Sequence, residues 1–326
     1  MQDFIAIGDT ATDVFIRLED DSRARVSGVP GNADYKISFP FGAKVPYKET
    51  VTIAGVGNAP NASVCAARLG LRSALVAHVG DDDPGRETFE VLREQNVDTR
   101  FIVKEAGHKT NYSYFLWYKD ERTIFRRNEE FSYRLPDLGK PKWLYVSSIG
   151  SKSLEPYEEL VVYLNKNPEV KLAFQPGSKE IPLGQKLASL YQRTDIYFSN
   201  IEEAEMILGI DTLGVNELLK RMHALGPKIV VITDGPKGAY AYDGVSTYFQ
   251  KPYPDPKPPL ERTGAGDAFS STTAVSLALG NDLSTSLKWG AINSMSVVQQ
   301  IGAQKGLLSR SQIEEYLKSA PLEFVT

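Results

Sequence analysis

Short apolar runs, each about the length of a strand, alternate along most of the chain with stretches whose apolar residues fall at helical intervals. Phe4–Ile7 is one such run and ends at Gly8-Asp9. Ser73–Val79, Trp143–Ser147, Lys171–Phe174, Asp195–Ser199, Lys228–Thr233 and Ala239–Tyr242 repeat the pattern. Between them, Asn61–Leu69 (stopped by Gly70), Gly85–Gln95, Leu154–Asn165, Leu183–Tyr191, Ile201–Leu208 and Val215–Leu225 have helical spacing. Three further helices, about 265–279, 283–300 and 310–318, close the chain. Short buried strands separated by helices predict a mostly parallel sheet covered on both faces, a three-layer α/β sandwich.

Two segments depart from this rhythm. Residues 14–52 hold alternating pieces, Val14–Leu18 and Tyr35–Phe39, with Gly, Pro and Asn between them. In Asn111–Arg127, Tyr112, Tyr114, Leu116 and Tyr118 alternate with Ser113, Phe115, Trp117 and Lys119, so apolar residues fall on both faces. Both read as hairpin material. Residues 1–326 are expected to form one domain, with a small β lid built from about 10–52 and 100–128. The lid's mixed faces suggest a homodimer through the lid sheets. The stretch 19–50 is longer than a minimal lid needs, and its residues supply no physical reason for the extra length. Lys251–Pro259 is dense in proline and cannot be a central strand or helix, so it is expected to be extended.

Composition narrows the classes. The 326 residues are 42% hydrophobic and 24% charged, which excludes disorder and low-complexity architecture. Lys and Arg number 37 against 41 Asp and Glu, a net charge of −4 with no basic run, so no nucleic-acid partner is expected. No apolar stretch is long enough for a membrane span and the first residues lack a signal-peptide pattern, so no membrane partner and a cytoplasmic location are expected. Cys65, the one cysteine, lies in a run of small apolar residues and reads as a buried hydrophobe. His78, His108 and His223 are scattered, without zinc spacing.

Several motif readings fall away. Asp81-Asp82-Asp83-Pro84-Gly85 begins like a calcium loop, but Leu92 stands where the bidentate Glu belongs, leaving a turn and a helix cap. Gly55-Val56-Gly57 fails as a dinucleotide fingerprint because Pro60 holds the third glycine position. No Walker-A spacing occurs.

The most informative stretch is Arg262-Thr263-Gly264-Ala265-Gly266-Asp267-Ala268-Phe269, directly after the proline-dense approach. Its glycines let the backbone curl, and the following apolar run continues as a helix whose first N–H groups are unpaired, a ready anion site. Asp267 in that first turn is either a cap that suits the helix dipole or a general base beside an anion hole, as phosphoryl transfer to an alcohol requires. Likewise, Asn200, which follows a strand and precedes a helix, is either an N-cap alone or a site residue, and Gly235 and Gly238 are either ordinary turn glycines or part of a site.

Gly264-Ala265-Gly266-Asp267 resembles the C-terminal signature of the ribokinase-like (PfkB) carbohydrate kinase family. Gly57-Asn58-Ala59-Pro60-Asn61-Ala62, with Ala67–Gly70 and Val79–Gly85, resembles the family's N-terminal signature. Asn200-Ile201-Glu202-Glu203 resembles its N-x-x-E element and Thr233–Gly238 its T-x-G-x-x-G nucleotide loop. The motifs come in the family's order, and the resemblance runs from Gly8 to about Leu317.

The resemblance implies a ribokinase-like fold and ATP-dependent, Mg²⁺-assisted phosphorylation of a hydroxymethyl group. It implies that Asp267 is the base, and that the N–H groups around Gly264, Ala265 and Gly266 stabilise the transferring phosphoryl group. Asp13, Gly57, Asn58 and Asn61 would bind the acceptor. Asn200, Thr233, Gly235 and Gly238 would border the ATP, with Glu203 acting on Mg²⁺ through water. Glu261 holds the place where many members have an Asp that helps to bind an activating monovalent cation. Its longer side chain, with Arg262 beside it and Lys305 in the matching loop Gly302–Gly306, leaves K⁺ activation an open question. The acceptors expected are, in order, a neutral sugar, a nucleoside (adenosine-type), and a sugar acid or phosphate. Tyr112, Tyr114, Trp117, Arg126 and Arg127 are candidates to meet a nucleobase or an anionic acceptor, or to form a dimer core. The alternative of another class is a sugar- or nucleotide-binding protein without turnover, which would have no need of Asp267.

Overall fold

The computed structural model describes residues 2–20, 23–29, 35–119, 121–150, 154–211 and 214–325. Parts of the expected lid, residues 21–22, 30–34 and 120, lie outside the described residues. A ten-stranded sheet forms the centre. Its order across one path is Thr247–Gln250, Ala239–Tyr242, Ile229–Thr233, Ile196–Asn200, Lys171–Phe174, Trp143–Val146, Phe4–Ile7, Ser73–Gly80 and Val97–Asp98. Ile102–Glu105 also pairs with Ser73–Gly80. Pairing is parallel from Ile229–Thr233 onward, with Phe4 between Trp143 and Ser73; at the first edge Ala239–Tyr242 runs against the rest and pairs antiparallel with both of its neighbours.

Helices cover both faces, because the strands are apolar on both sides and cannot face water. One face packs under Asn58–Arg68, Ala265–Ala278 and Leu283–Val297, burying Phe4, Leu75, Phe198, Val231 and Ile292. The other packs under Glu155–Lys166, Ile201–Leu208 and Val215–Ala224, burying Ile5, Val146, Phe174, Tyr197 and Ile232. Alternate residues of one strand thus enter opposite cores, which is the three-layer α/β sandwich the periodicity predicts. Cys65 is buried. Among the described residues no helix is long and apolar enough to cross a membrane.

A second sheet of four strands stands over one side, in the order Glu121–Arg127, Asn111–Tyr118, Ala11–Leu18 and Tyr47–Val56. Ala11–Leu18 and Asn111–Tyr118 pair in parallel, with Asp13 beside Ser113 and Phe15 beside Phe115, whose rings stack at 4.6 Å. Arg25–Ser27 and Lys36–Ser38 form a separate two-stranded piece.

Three details differ from the sequence reading. Ile102–Glu105, within the lid range 100–128, belongs to the central sheet instead. The helix expected over Leu183–Tyr191 is a 3₁₀ stretch, Ile181–Leu187, followed by a short α-helix, Ala188–Arg193. Gly184 breaks it at φ 50° and ψ −126°. The edge strand Thr247–Gln250 escaped notice because four residues with one buried side chain carry little periodic signal.

Candidate active site

The candidate residues gather at the carboxyl edge of the parallel strands, where open α/β sheets bind ligands. Gly8-Asp9 follows the strand Phe4–Ile7, Gln175 follows Lys171–Phe174, Asn200 ends its strand, and Thr233 ends the next. Two cavities open there. One, of about 280 Å³, lies beneath the four-stranded sheet and is lined by Asp13, Gly57, Asn58, Asn61, Gly264 and Asp267 among others. The second, of about 330 Å³, is lined by Thr233, Gly235, Gly238, Ala265 and Gly266, with apolar walls from Phe269, Ala291, Met295 and Val298. Arg262 lines both, so the cavities meet at the start of the helix Ala265–Ala278.

That helix start has no side-chain cap. Gly264 turns the chain at φ +80°, and a Cβ there would run into Ala303. The left-handed turn and this close approach both call for glycine, and the turn sets the helix start at the junction of the cavities, where the Ala265 N–H bonds the Arg262 carbonyl at 3.4 Å. Asp267 is half-buried, and the protein around its carboxyl pushes its pKa up. Two amides oppose that shift: Asn61 Nδ2 donates to Oδ2 at 2.9 Å and Gln175 Nε2 to Oδ1 at 3.1 Å.

Asp13 lines the first cavity from the four-stranded sheet. Burial raises its pKa to about 6, Ser113 and Arg126 oppose the rise, and Glu261 and Asp267 add to it. Asn61 is 3% exposed, and its Oδ1 accepts from Gln304 while its Nδ2 serves Asp267. Thr233, Gly235 and Gly238 form the tight loop leading to the strand Ala239–Tyr242; Gly238 has φ +118° and lies against the Gln250 carbonyl, 2.5 Å from where a Cβ would stand.

Asn200 and Glu203 form a reciprocal capping box. Asn200 Oδ1 accepts from the Glu203 N–H at 2.7 Å, and Glu203 Oε2 accepts from the Asn200 N–H at 3.0 Å. The local cap and the suggested Mg²⁺ role share this one carboxylate. Burial pushes the Glu203 carboxyl up, and the negative charge of Asp267 pushes it further. A buried carboxylate that senses another suits a divalent cation. Yet among the described residues no three His, Cys, Asp or Glu side chains converge to cage a metal.

Glu261 is differently engaged. Its oxygens accept from the N–H groups of Thr263 at 2.8 Å and Gly302 at 3.1 Å, and Arg122 stands 3.9 Å away. The charge a monovalent cation would use is already met by two N–H donors and a guanidinium, so the residues present do not fit such an ion. Lys305 is exposed.

The second sheet divides the aromatic and basic residues singled out above. Arg122 and Ile124 line the first cavity, Tyr112, Tyr114 and Arg127 line a groove on the sheet's other side, and Arg126 borders both. Trp117 is buried, its indole N–H bonded to the Lys119 carbonyl. Sequence reasoning passed over Asp9, Gln175, Arg122 and Lys179. Of these, Asp9 and Gln175 had a usable signal, a polar residue one or two positions after a buried strand. Arg122 and Lys179 lie in exposed segments where charge is ordinary.

A family model described as "pfkB family carbohydrate kinase" matches residues 32–310. The chain is 27% identical over 297 residues to a 5-dehydro-2-deoxygluconokinase of Halalkalibacterium halodurans, covering 84% of this chain and 88% of that one. It is 27% identical over 261 residues to a cytidine kinase of Thermococcus kodakarensis, covering 79% and 92%. Among solved structures, Arabidopsis thaliana ribokinase complexed with ribose and ATP superposes with a TM-score of 0.79 at 19% identity, covering 97% of this chain and 99% of that one.

Proposed function

The chain belongs to the pfkB family of carbohydrate kinases, and from that premise we propose that Asp267 is the base in ATP-dependent phosphorylation of a hydroxymethyl group on a carboxylated sugar. The observation that carries the reading is the meeting of two cavities at one uncapped helix start, with Asp267 on one side and Gly266 on the other. Asp267 takes the proton from the acceptor hydroxyl; that oxygen bonds to the terminal phosphorus of ATP as the bond to ADP breaks. The N–H groups of the Gly264–Asp267 turn stabilise the charge of the transferring group. Proton removal contributes about 10²–10⁴-fold, and positioning supplies much of the rest.

Thr233, Gly235 and Gly238 border the nucleotide in this reading, and the apolar wall of Phe269, Met295 and Val298 takes its base. Glu203, with Asn200, would help to hold Mg²⁺ through water, and the ion when bound would supply charge neutralisation at the phosphates. Asp13, Gly57 and Asn58 meet acceptor hydroxyls, with the four-stranded sheet acting as a lid that excludes water.

The choice of a carboxylated sugar over a neutral one rests on Arg122, Arg126 and Lys179 in the acceptor cavity, since guanidinium groups pair with carboxylates. The gluconokinase relative, by its name, acts on such a sugar. A nucleoside acceptor, as in the cytidine kinase relative, would be expected to use aromatic stacking; Phe115 lines the cavity, but Tyr112 and Tyr114 do not. Given how Glu261 is engaged, turnover is expected without K⁺. The exposed Tyr114, Phe125 and Tyr47 on the lid sheet support a homodimer, and the absence of a basic run in the sequence argues against a nucleic-acid partner.

The test is coupled ADP release with Mg-ATP against sugar acids, neutral sugars and nucleosides, in Na⁺ and K⁺ buffers, beside Asp267→Asn. Turnover of a sugar acid that falls at least about a hundredfold in the variant supports the reading. Turnover of nucleosides alone would overturn the acceptor class, and ATP binding without any turnover would favour a binding-only protein.

A further inference from the structure

Asp267 is gripped by two chains of amides: one is oriented by a backbone carbonyl, which has only one available role, and the other by the Asp267 carboxylate itself, which when ionised can only accept and so turns the Gln175 oxygen toward the Tyr145 hydroxyl. A backbone carbonyl can only accept, so Gln304 must present its NH₂ group to the Gly55 carbonyl, 2.8 Å away. The same Nε2 donates to Asn61 Oδ1 at 3.0 Å, which leaves Asn61 Nδ2 to donate to Asp267. On the other side the Tyr145 hydroxyl bonds Gln175 Oε1, and Gln175 Nε2 donates to Asp267 Oδ1 at 3.1 Å. Gln175 is anchored at its own backbone, where its N–H bonds the Val146 carbonyl at 2.9 Å. Tyr145 is fully buried in the central sheet.

We propose that Gln175, bonded to Tyr145, is a positioning residue that keeps the Asp267 carboxylate ionised and fixed in direction for proton removal. This rests on the assignment of Asp267 as base. Each carboxylate oxygen accepts one amide N–H and keeps a lone pair for the incoming proton. Donors to the charged form favour it, so the amides counter the burial that pushes Asp267 toward its neutral form. The charged and titratable groups around it belong to several elements. Asp13, Arg122 and Arg126 come from the lid sheet, Asp9 and Lys179 from the far side of the acceptor cavity, and Arg262 from the preceding turn. Glu203 acts from the first turn of the helix Ile201–Leu208 and Tyr145 from the central strand Trp143–Val146, and Cys65 lies on the helix Asn58–Arg68 beyond Tyr145. None of them donates a hydrogen bond to Asp267 among the described residues; Gln175 and Asn61 do.

The experiment is a carbon NMR titration of protein labelled with ¹³Cγ-aspartate, where the resonance missing from Asp267→Asn identifies Asp267. In Gln175→Met, which keeps the length and loses the donor, the Asp267 midpoint is expected to rise by about one pH unit. In Tyr145→Phe a smaller rise in the same direction is expected, and this variant answers the question if Gln175→Met does not fold. The acid limb of the rate profile should move by the same amount, with KM for ATP unchanged. An unchanged midpoint in the variants would overturn the proposal, as would a loss seen only as a raised KM for the acceptor. Full turnover by Asp267→Asn would instead remove the base assignment, and it is read in a separate sample.

Discussion

At the scale of single residues, two glycines of one signature do different work, and substitution separates them. Gly264→Ala puts a methyl group into Ala303 at a positive φ, so it is expected to cost more than about 2 kcal/mol and to lower Tm along with activity. Gly266 has open space where its Cβ would stand and lines the nucleotide cavity. Gly266→Ala should therefore hold or raise Tm, as Gly→Ala does within a helix, while KM for ATP rises. Thermal melts beside ATP titrations check both, and a loss of stability in Gly266→Ala would contradict this account. The acidity of Asp267 has its own signature. Only the ionised carboxylate can take a proton, and burial raises its pKa, so the rate should fall on acidification at a pH above the usual carboxylate range. Residue identities at Asp267 and Gly264 were legible from the motif. The direction of each amide was not, because it depends on Gly55, Gln304 and Tyr145, which are remote in the chain.

Among the elements, the helix Ile201–Leu208 shows how one local device serves two ends. Its capping box satisfies two backbone N–H groups and at the same time holds Glu203 beside the site. Asn200→Ala is expected to cost about 1 kcal/mol through the lost cap. It should also raise the Mg²⁺ concentration needed for half-maximal rate, because Glu203 is no longer pinned. A fall in Tm with an unchanged Mg²⁺ dependence would leave the box purely structural. Strands and helices with strong periodicity were readable at this scale. Ile102–Glu105 was not, since a four-residue strand with a polar half carries no label saying which sheet it joins.

Across the whole molecule, the buried acids at the carboxyl edge make stability depend on pH. Asp9 accepts from the Tyr133 hydroxyl, and its pKa is raised to about 8 by burial and by the charge of Glu180, with Lys179 opposing. The folded protein then holds this proton more tightly than the unfolded chain. Between the ordinary aspartate range and about 8 the folded state binds more protons, so this group's stabilisation is lost as pH rises through that window. Asp9→Asn should flatten the decline in Tm from acid to mildly alkaline pH. A decline as steep as in the wild type would assign it to other groups, Asp13 among them.

The alternation of apolar strands and helical stretches determined the three-layer sandwich by itself, because each strand must bury both faces and only helices on both sides allow that. The signature Gly264–Asp267 likewise marked a candidate anion site, since the first N–H groups of a helix have no partner within it. What only the tertiary structure decided is what meets there. Gln175 and Asn61 reach Asp267 from 92 and 206 positions away in the chain. Ile124 lines the acceptor cavity while Phe125 lines the groove on the other side, because adjacent residues of a strand point to opposite faces and only sheet pairing tells which face is inward. Local pattern carries periodicity and backbone geometry; convergence of distant side chains is a property of packing, and it sets the charge, direction and acidity of the site.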